Sequence, residues 1–405
     1  MRLRVPAIAR PLRCAAFRRV WLGQAVSGVG DGVFPVALTI AVLGAGRGPA
    51  ALGVVLATDA AGATLGSLIG GLAADRIGRV AAMVAADLLR LAAMLALAAL
   101  YLAAFPAVVC CAAAAGFGAA IFTPAYFAVL PQFLAKDDLQ AGNALRSATT
   151  RVTRLAGPPL GGFLATAYSP RAAFFVDAAT FLVSLATLTG LRELGGRSCS
   201  APRGIWRSAI GGLHAVTGRY RWIGAVILQG AFQMAFVIGP EVILLPLVLH
   251  HLGRLPDYGW VLALQGAGTI SGSVTAARRR PRLPGQAATL AMLAVAPELI
   301  ALGVGLPLPL LAVSVVLTGW GYTTFAVLWG TALHEQVPEE ALSRVASLDA
   351  LGGYLFLPVS SAFTGLAVAG TGLTSVVIVC CCVLVLSTFL PLFVGGVAQF
   401  APPDT

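Results

Sequence analysis

GLAADRIGR, residues 71–79, sets three charges, Asp75, Arg76 and Arg79, between two apolar runs at 51–73 and 81–104. An ionised side chain inside hydrocarbon costs at least about 2.5–3.5 kcal/mol on insertion scales. A run of about 20 apolar residues, by contrast, is what a membrane-spanning helix needs. The stretch therefore reads as a tight loop at a membrane face, with Gly78 permitting the turn. The same 203-residue step links two pairs of segments: LAADRIGRVA (72–81) with TAARRRPRLP (275–284), and LPQFLAKDDL (130–139) with LHEQVPEEAL (333–342). Equal spacing of equivalent loops marks an internal repeat at half the chain length.

Composition agrees with lipid as the main solvent. Of 405 residues, 58% are hydrophobic and 11% charged, where soluble proteins carry about 25% charged residues. Twelve apolar runs follow, near 19–44, 51–73, 81–104, 106–130, 147–168, 172–191, 221–249, 258–277, 285–305, 308–332, 346–369 and 373–396. With the N-terminus in the cytoplasm, all but Arg47, Arg171 and Arg254 of the 27 Lys and Arg residues fall on the inner side, as the positive-inside rule requires. The expected fold is an all-α membrane protein with twelve transmembrane helices in two pseudo-symmetric six-helix bundles. The bundles are 1–191 and 221–405, joined by a basic cytoplasmic linker at 192–220, and both termini are cytoplasmic. Two parallel repeats of this kind describe a transporter whose halves rock about a site near mid-membrane. No cleavable leader is read in the first 16 residues. The net charge of +11 is assigned to topology and lipid headgroups rather than to nucleic acid.

Within this frame GLAADRIGR resembles the G-x-x-x-D-R-x-G-R loop motif of the major facilitator superfamily. The resemblance implies a cytoplasmic gate built from Gly71, Asp75, Arg76, Gly78 and Arg79. The second copy has Arg278 where Asp75 would fall, so the gating role is not expected there. GPPLGG at 157–162 resembles the superfamily's antiporter motif, which implies export and singles out Gly157, Pro158, Gly161 and Gly162. WLGQAVSGVGDGVFPVAL (21–38), FFVDAATFLVS (174–184) and VLWGTALHEQVPEEALSRV (327–345) look like a bacterial branch. That branch holds enterobactin-exporter-like and transmembrane secretion effector proteins, mostly assigned as exporters of siderophores, drugs or secondary metabolites. The early arginine that many superfamily exporters carry in their fourth helix is missing from this one.

Six acids fall inside the apolar runs: Asp31, Asp59, Asp87, Asp177, Glu241 and Glu298. Intramembrane ionisable groups are functional candidates by default. Asp31 leads, because Gln24, Ser27, Asp31, Pro35 and Thr39 recur at spacings of three or four and form a polar stripe that should face a cavity. A carboxylate there can exchange protons, or it can be a structural acid paired with an arginine of a neighbouring helix. Glu241 and Asp59 are further substrate or proton candidates. Asp87 and Arg90 are read as a local ion pair near the inner end of the third helix, and Asp177 as a packing residue. Glu298 is read as an acid facing the mouth. Tyr126, Tyr322 and Trp329 are candidate cavity aromatics, suited to a bulky, amphipathic or cationic organic molecule.

The seven cysteines and four histidines have no metal-ligand spacing, and no cofactor is expected. No nucleophile triad or phosphate loop appears, which argues against an enzyme. The leading expectation is a monomeric cell-membrane exporter of a small organic molecule, exchanging it for protons. An importer or uncoupled facilitator is the alternative within transport, and a non-transporting membrane regulator or scaffold the alternative outside it.

Overall fold

With no water in the hydrocarbon layer, backbone N–H and C=O groups must bond within the chain, and helices do this locally. The computed structural model describes residues 7–191, 221–279 and 281–400, among which no strand occurs. The linker read at 192–220 lies outside the described residues.

Twelve helical stretches follow one another: α1 Ala15–Gly44, α2 Pro49–Ile77, α3 Arg79–Leu100, α4 Phe105–Phe133, α5 Lys136–Ala167, α6 Pro170–Leu188, α7 Arg221–His251, α8 Tyr258–Arg278, α9 Pro284–Val304, α10 Leu308–Gln336, α11 Glu339–Thr371 and α12 Leu373–Phe389. Among the described residues, nine of these are long and apolar enough to cross a membrane. The others are α5, α8 and α11. α5 begins at Lys136 rather than near 147, because the charged stretch read as loop continues as helix. Asp137 and Asp138 in its first turn suit the positive end of a helix dipole.

Two helices are interrupted. α7 contains a π-helical turn, Met234–Ile238, directly before Gly239-Pro240, and α9 contains a 3-10 turn, Met292–Val295, directly before Ala296-Pro297. Proline lacks the N–H that an unbroken ladder needs.

Side-chain burial inverts the pattern of a water-soluble protein. In α6, Asp177 and Ser184 are buried while Phe175, Leu182 and Val183 are exposed. α12 likewise turns Ile378, Val379, Val385 and Leu386 outward. A helix with polar groups inside and large apolar groups outside is solvated by lipid.

The chain packs as two compact units. The first comprises Met1–Gly46, Thr58–Ala201 and Pro256–Trp260; the second comprises Arg47–Ala57, Pro202–Leu255 and Val261–Thr405. Each contains the same crossing. A Cβ on Gly116 would lie 2.1 Å from the Asp59 carbonyl oxygen, and a Cβ on Gly319 2.1 Å from that of Gln265. So α2 meets α4 in the first unit, and α8 meets α10 in the second, at glycines 203 positions apart, the step of the sequence repeat.

Candidate functional site

The first unit holds a cavity of about 430 Å³ walled by α1, α4 and α5. Asp31 and Gln24 line it from α1, Tyr126, Phe127 and Thr123 from α4, and Arg146 and Arg154 from α5. The guanidinium of Arg146 lies 3.5 Å from the Phe127 ring centroid, so the wall joins aromatic surface to positive charge. The Tyr126 hydroxyl and Gln24 Oε1 are buried and have no hydrogen-bond partner.

Only part of the expected polar stripe reaches this cavity. Gln24 and Asp31, seven residues apart, line it together; Ser27 and Thr39 are buried in helix packing, and Pro35 is exposed. Two helical turns return a side chain to the same face within about 20°, whereas spacings of three or four drift away from it.

Asp31 is paired. Its Oδ1 accepts a hydrogen bond from Nη2 of Arg90 on α3, and the two form a salt bridge. Asp31 keeps 37% of its side chain exposed, toward the cavity, while Arg90 keeps 7%. Arg90 also lies 3.9 Å from Asp87 and stacks 4.2 Å from the Phe181 ring centroid. Gly118 of α4 makes room for its stem, since a Cβ there would come within 2.6 Å of Arg90 Cγ. Ser184 donates to Asp87 Oδ2 at 2.6 Å. Asp177, whose Oδ1 accepts from Thr180, lies within electrostatic range of Arg90 and Asp87. Three carboxyl groups thus surround one arginine. Asp87 and Arg90 do form the expected local ion pair, but mid-way along α3 rather than near its inner end, and the closer partner of Arg90 is Asp31.

The antiporter-like stretch packs directly behind this pair. A Cβ on Gly157 would lie 2.6 Å from Gly32 Cα, and one on Gly161 2.7 Å from the Val33 carbonyl oxygen. Gly157 and Gly161 therefore bring the α5 backbone onto α1 at the residues next to Asp31, a close approach that small residues permit. In the loop motif, Gly78 adopts φ +96°, a conformation open to glycine. Arg79 Nη1 donates to the Ala128 carbonyl at 2.7 Å, which ties the loop to the end of α4, and Arg76 is exposed. The surroundings of Gly71 and of the Asp75 side chain lie outside what is described.

In the second unit, Glu241 and Tyr322 meet. The Tyr322 hydroxyl donates to Glu241 Oε2, and Gln265 Nε2 donates to Oε1. Gln233 donates to Ser387 and Thr388 at 3.2 and 3.3 Å, while Gln229 is buried with neither amide atom partnered. Trp329 lies elsewhere, in an aromatic core with Trp222 and Phe400, where its Nε1 donates to Asp349. Asp59 packs beside Gly116; Pro158 lies between the two contacting glycines with its Cδ against Gly32, and Gly162 faces Gly259 instead. Glu298 corrects another expectation: it is fully buried rather than facing a mouth.

The sequence profile of the transmembrane secretion effectors matches residues 7–396. The chain belongs to that family. Transmembrane secretion effectors are a branch of the major facilitator superfamily, and solved structures carry the same fold. A mutant of the nucleoside transporter NupG matches with a TM-score of 0.75 at 10% identity, covering 93% of this chain and 99% of that one. A bacterial homologue of the iron transporter ferroportin, in its inward-facing state, matches with 0.71 at 16% identity, over 93% and 98%. A D-xylose-proton symporter matches with 0.65 at 16% identity, over 97% and 98%. No curated protein matches in sequence. The transmembrane secretion effector described here is thus an all-α, multi-pass integral membrane transporter of small molecules; its family and fold are those of transporters, not of enzymes.

Arg90 is the residue that sequence reading left out of the site. Its signal was available, since an arginine amid apolar residues must find a carboxylate or face water.

Proposed function

We propose that this protein is a secondary active exporter of a small amphipathic organic molecule, working by alternating access in exchange for protons. In this reading twelve helices span the cell membrane, with both termini cytoplasmic, and a monomer is the working unit. The halves 1–191 and 221–405 rock, and the loop of Gly71, Asp75, Arg76, Gly78 and Arg79 acts as the cytoplasmic gate. Arg146, Tyr126 and Phe127 would receive the substrate, through stacking and charge.

One observation carries the proposal: a membrane-embedded carboxylate, Asp31, stands on a cavity wall while held by a buried arginine. Proton uptake by Asp31 removes its charge and releases Arg90, whose next carboxylate, Asp87, is 3.9 Å away. Proton loss restores the first pair. A site that alternates between two charge arrangements can be tied to two conformations. Gly157 and Gly161, seated against α1 beside Asp31, would carry that switch into α5.

Direction and coupling are tested together in cells. Expression should lower the accumulation of transported organic dyes, and a protonophore should cancel the effect. Raised accumulation on expression would make the protein an importer, and insensitivity to the protonophore would remove proton exchange.

A further inference from the structure

Glu241 and Glu298 share a local pattern. Glu241 follows the π-turn of α7 in Gly239-Pro240-Glu241, and Glu298 follows the 3-10 turn of α9 in Ala296-Pro297-Glu298. Each acid is thus the third residue of a helical segment that restarts after a break inside a membrane helix. Such interruptions recur at functional sites, and discontinuous membrane helices use their restarted ends to hold ions. The two restarted segments, Gly239–His251 and Ala296–Val304, pack against each other, and the carboxyl groups lie within electrostatic range.

Their surroundings differ from those of Asp31. Among the described residues, no Lys, Arg or His pairs with either glutamate. Both oxygens of Glu241 accept hydrogen bonds, from Tyr322 and Gln265. Both oxygens of Glu298 lack a partner, although the residue has no exposed surface. Thr318, also fully buried, directs an unpartnered hydroxyl toward it from α10, outside hydrogen-bond geometry. The remaining titratable groups near the pair are Tyr322 on α10 and Cys380 on α12.

We infer that Glu241 and Glu298 form a proton-binding site of the second unit, with Glu241 as the ionised partner and Glu298 as the carrier. A buried carboxylate whose one facing donor, the Thr318 hydroxyl, stands outside hydrogen-bond geometry is unfavourable. One proton from water, forming an O–H bond on Glu298, removes that charge and supplies a donor. A metal ion fits less well, because the donors of Tyr322 and Gln265 already occupy Glu241. No cluster of three ligating acids, histidines or cysteines occurs among the described residues.

The inference stands apart from the export reading, and its test needs no substrate. The full chain in lipid nanodiscs is titrated with protons, and the infrared carbonyl stretch of protonated carboxyl groups is recorded. The wild type, Asp31→Asn and Glu241→Gln should share a band at neutral pH that Glu298→Gln lacks. Should Glu298→Gln fail to fold, the near-isosteric Thr318→Val should shift the same band. A Glu298→Gln spectrum identical to wild type, or a Thr318→Val spectrum with no shift, overturns the assignment. A band that disappears in sodium chloride but not in choline chloride also overturns it, in favour of a metal-cation site.

Discussion

In the first unit a partly exposed aspartate is held by a buried arginine, while in the second a buried glutamate is held by a tyrosine and a glutamine. Both arrangements solve the problem of a carboxylate in hydrocarbon, by different physics. An arginine brings full opposite charge and leaves other acids, here Asp87 and Asp177, competing for it. Neutral donors bring hydrogen bonds with no net charge, so the second cluster has no cation to exchange. The difference teaches where movement is cheap. A guanidinium between carboxylates can change partner, whereas a carboxylate fixed by two donors is anchored.

The comparison breaks most severely if Arg90 is removed. Arg90→Met should destabilise the protein by about 3–5 kcal/mol, since three acids lose their shared cation; thermal unfolding in detergent reads this. Adding Asp31→Asn to that variant should recover part of the loss, a non-additivity of about 0.5–3 kcal/mol that marks a direct interaction. In the second unit, Tyr322→Phe should cost about 1.5–3 kcal/mol, the range for a hydrogen bond to a charged group. Gly157→Leu probes the packing behind Asp31. Its side chain would enter the space held by Gly32, and overpacking of this kind costs about 1–3 kcal/mol. Arg76→Ala, at an exposed loop position, should stay within about 0.5 kcal/mol of wild type by the same unfolding assay.

Much of the fold was legible because membrane depth constrains sequence so strongly. Apolar length gave the helices, and the loop spacing gave a repeat that reappears as Gly116 and Gly319 at equivalent crossings. The glycines of GPPLGG were legible as a motif, but the seat of Gly157 against Gly32 was not. Pairing across helices is a tertiary property. Nothing in the linear chain says that Arg90 turns toward α1, or that Tyr322 and Gln265 converge on Glu241. Burial was the least legible feature. A lipid-facing helix is apolar on its outer side as well, so the contrast that reveals the inner face of a soluble helix is lost. That is why Glu298 read as mouth-facing and Trp329 as a cavity residue, whereas both are enclosed in the second unit.

Whether Asp31 carries the exchanged proton can be read in proteoliposomes. Uptake of a transported dye is followed with and without an imposed pH gradient, for wild type and Asp31→Asn at matched incorporation. Asp31→Asn should lose gradient-driven accumulation while keeping dye exchange at equal pH. Accumulation that follows the gradient as strongly in Asp31→Asn as in wild type would contradict a proton role for Asp31.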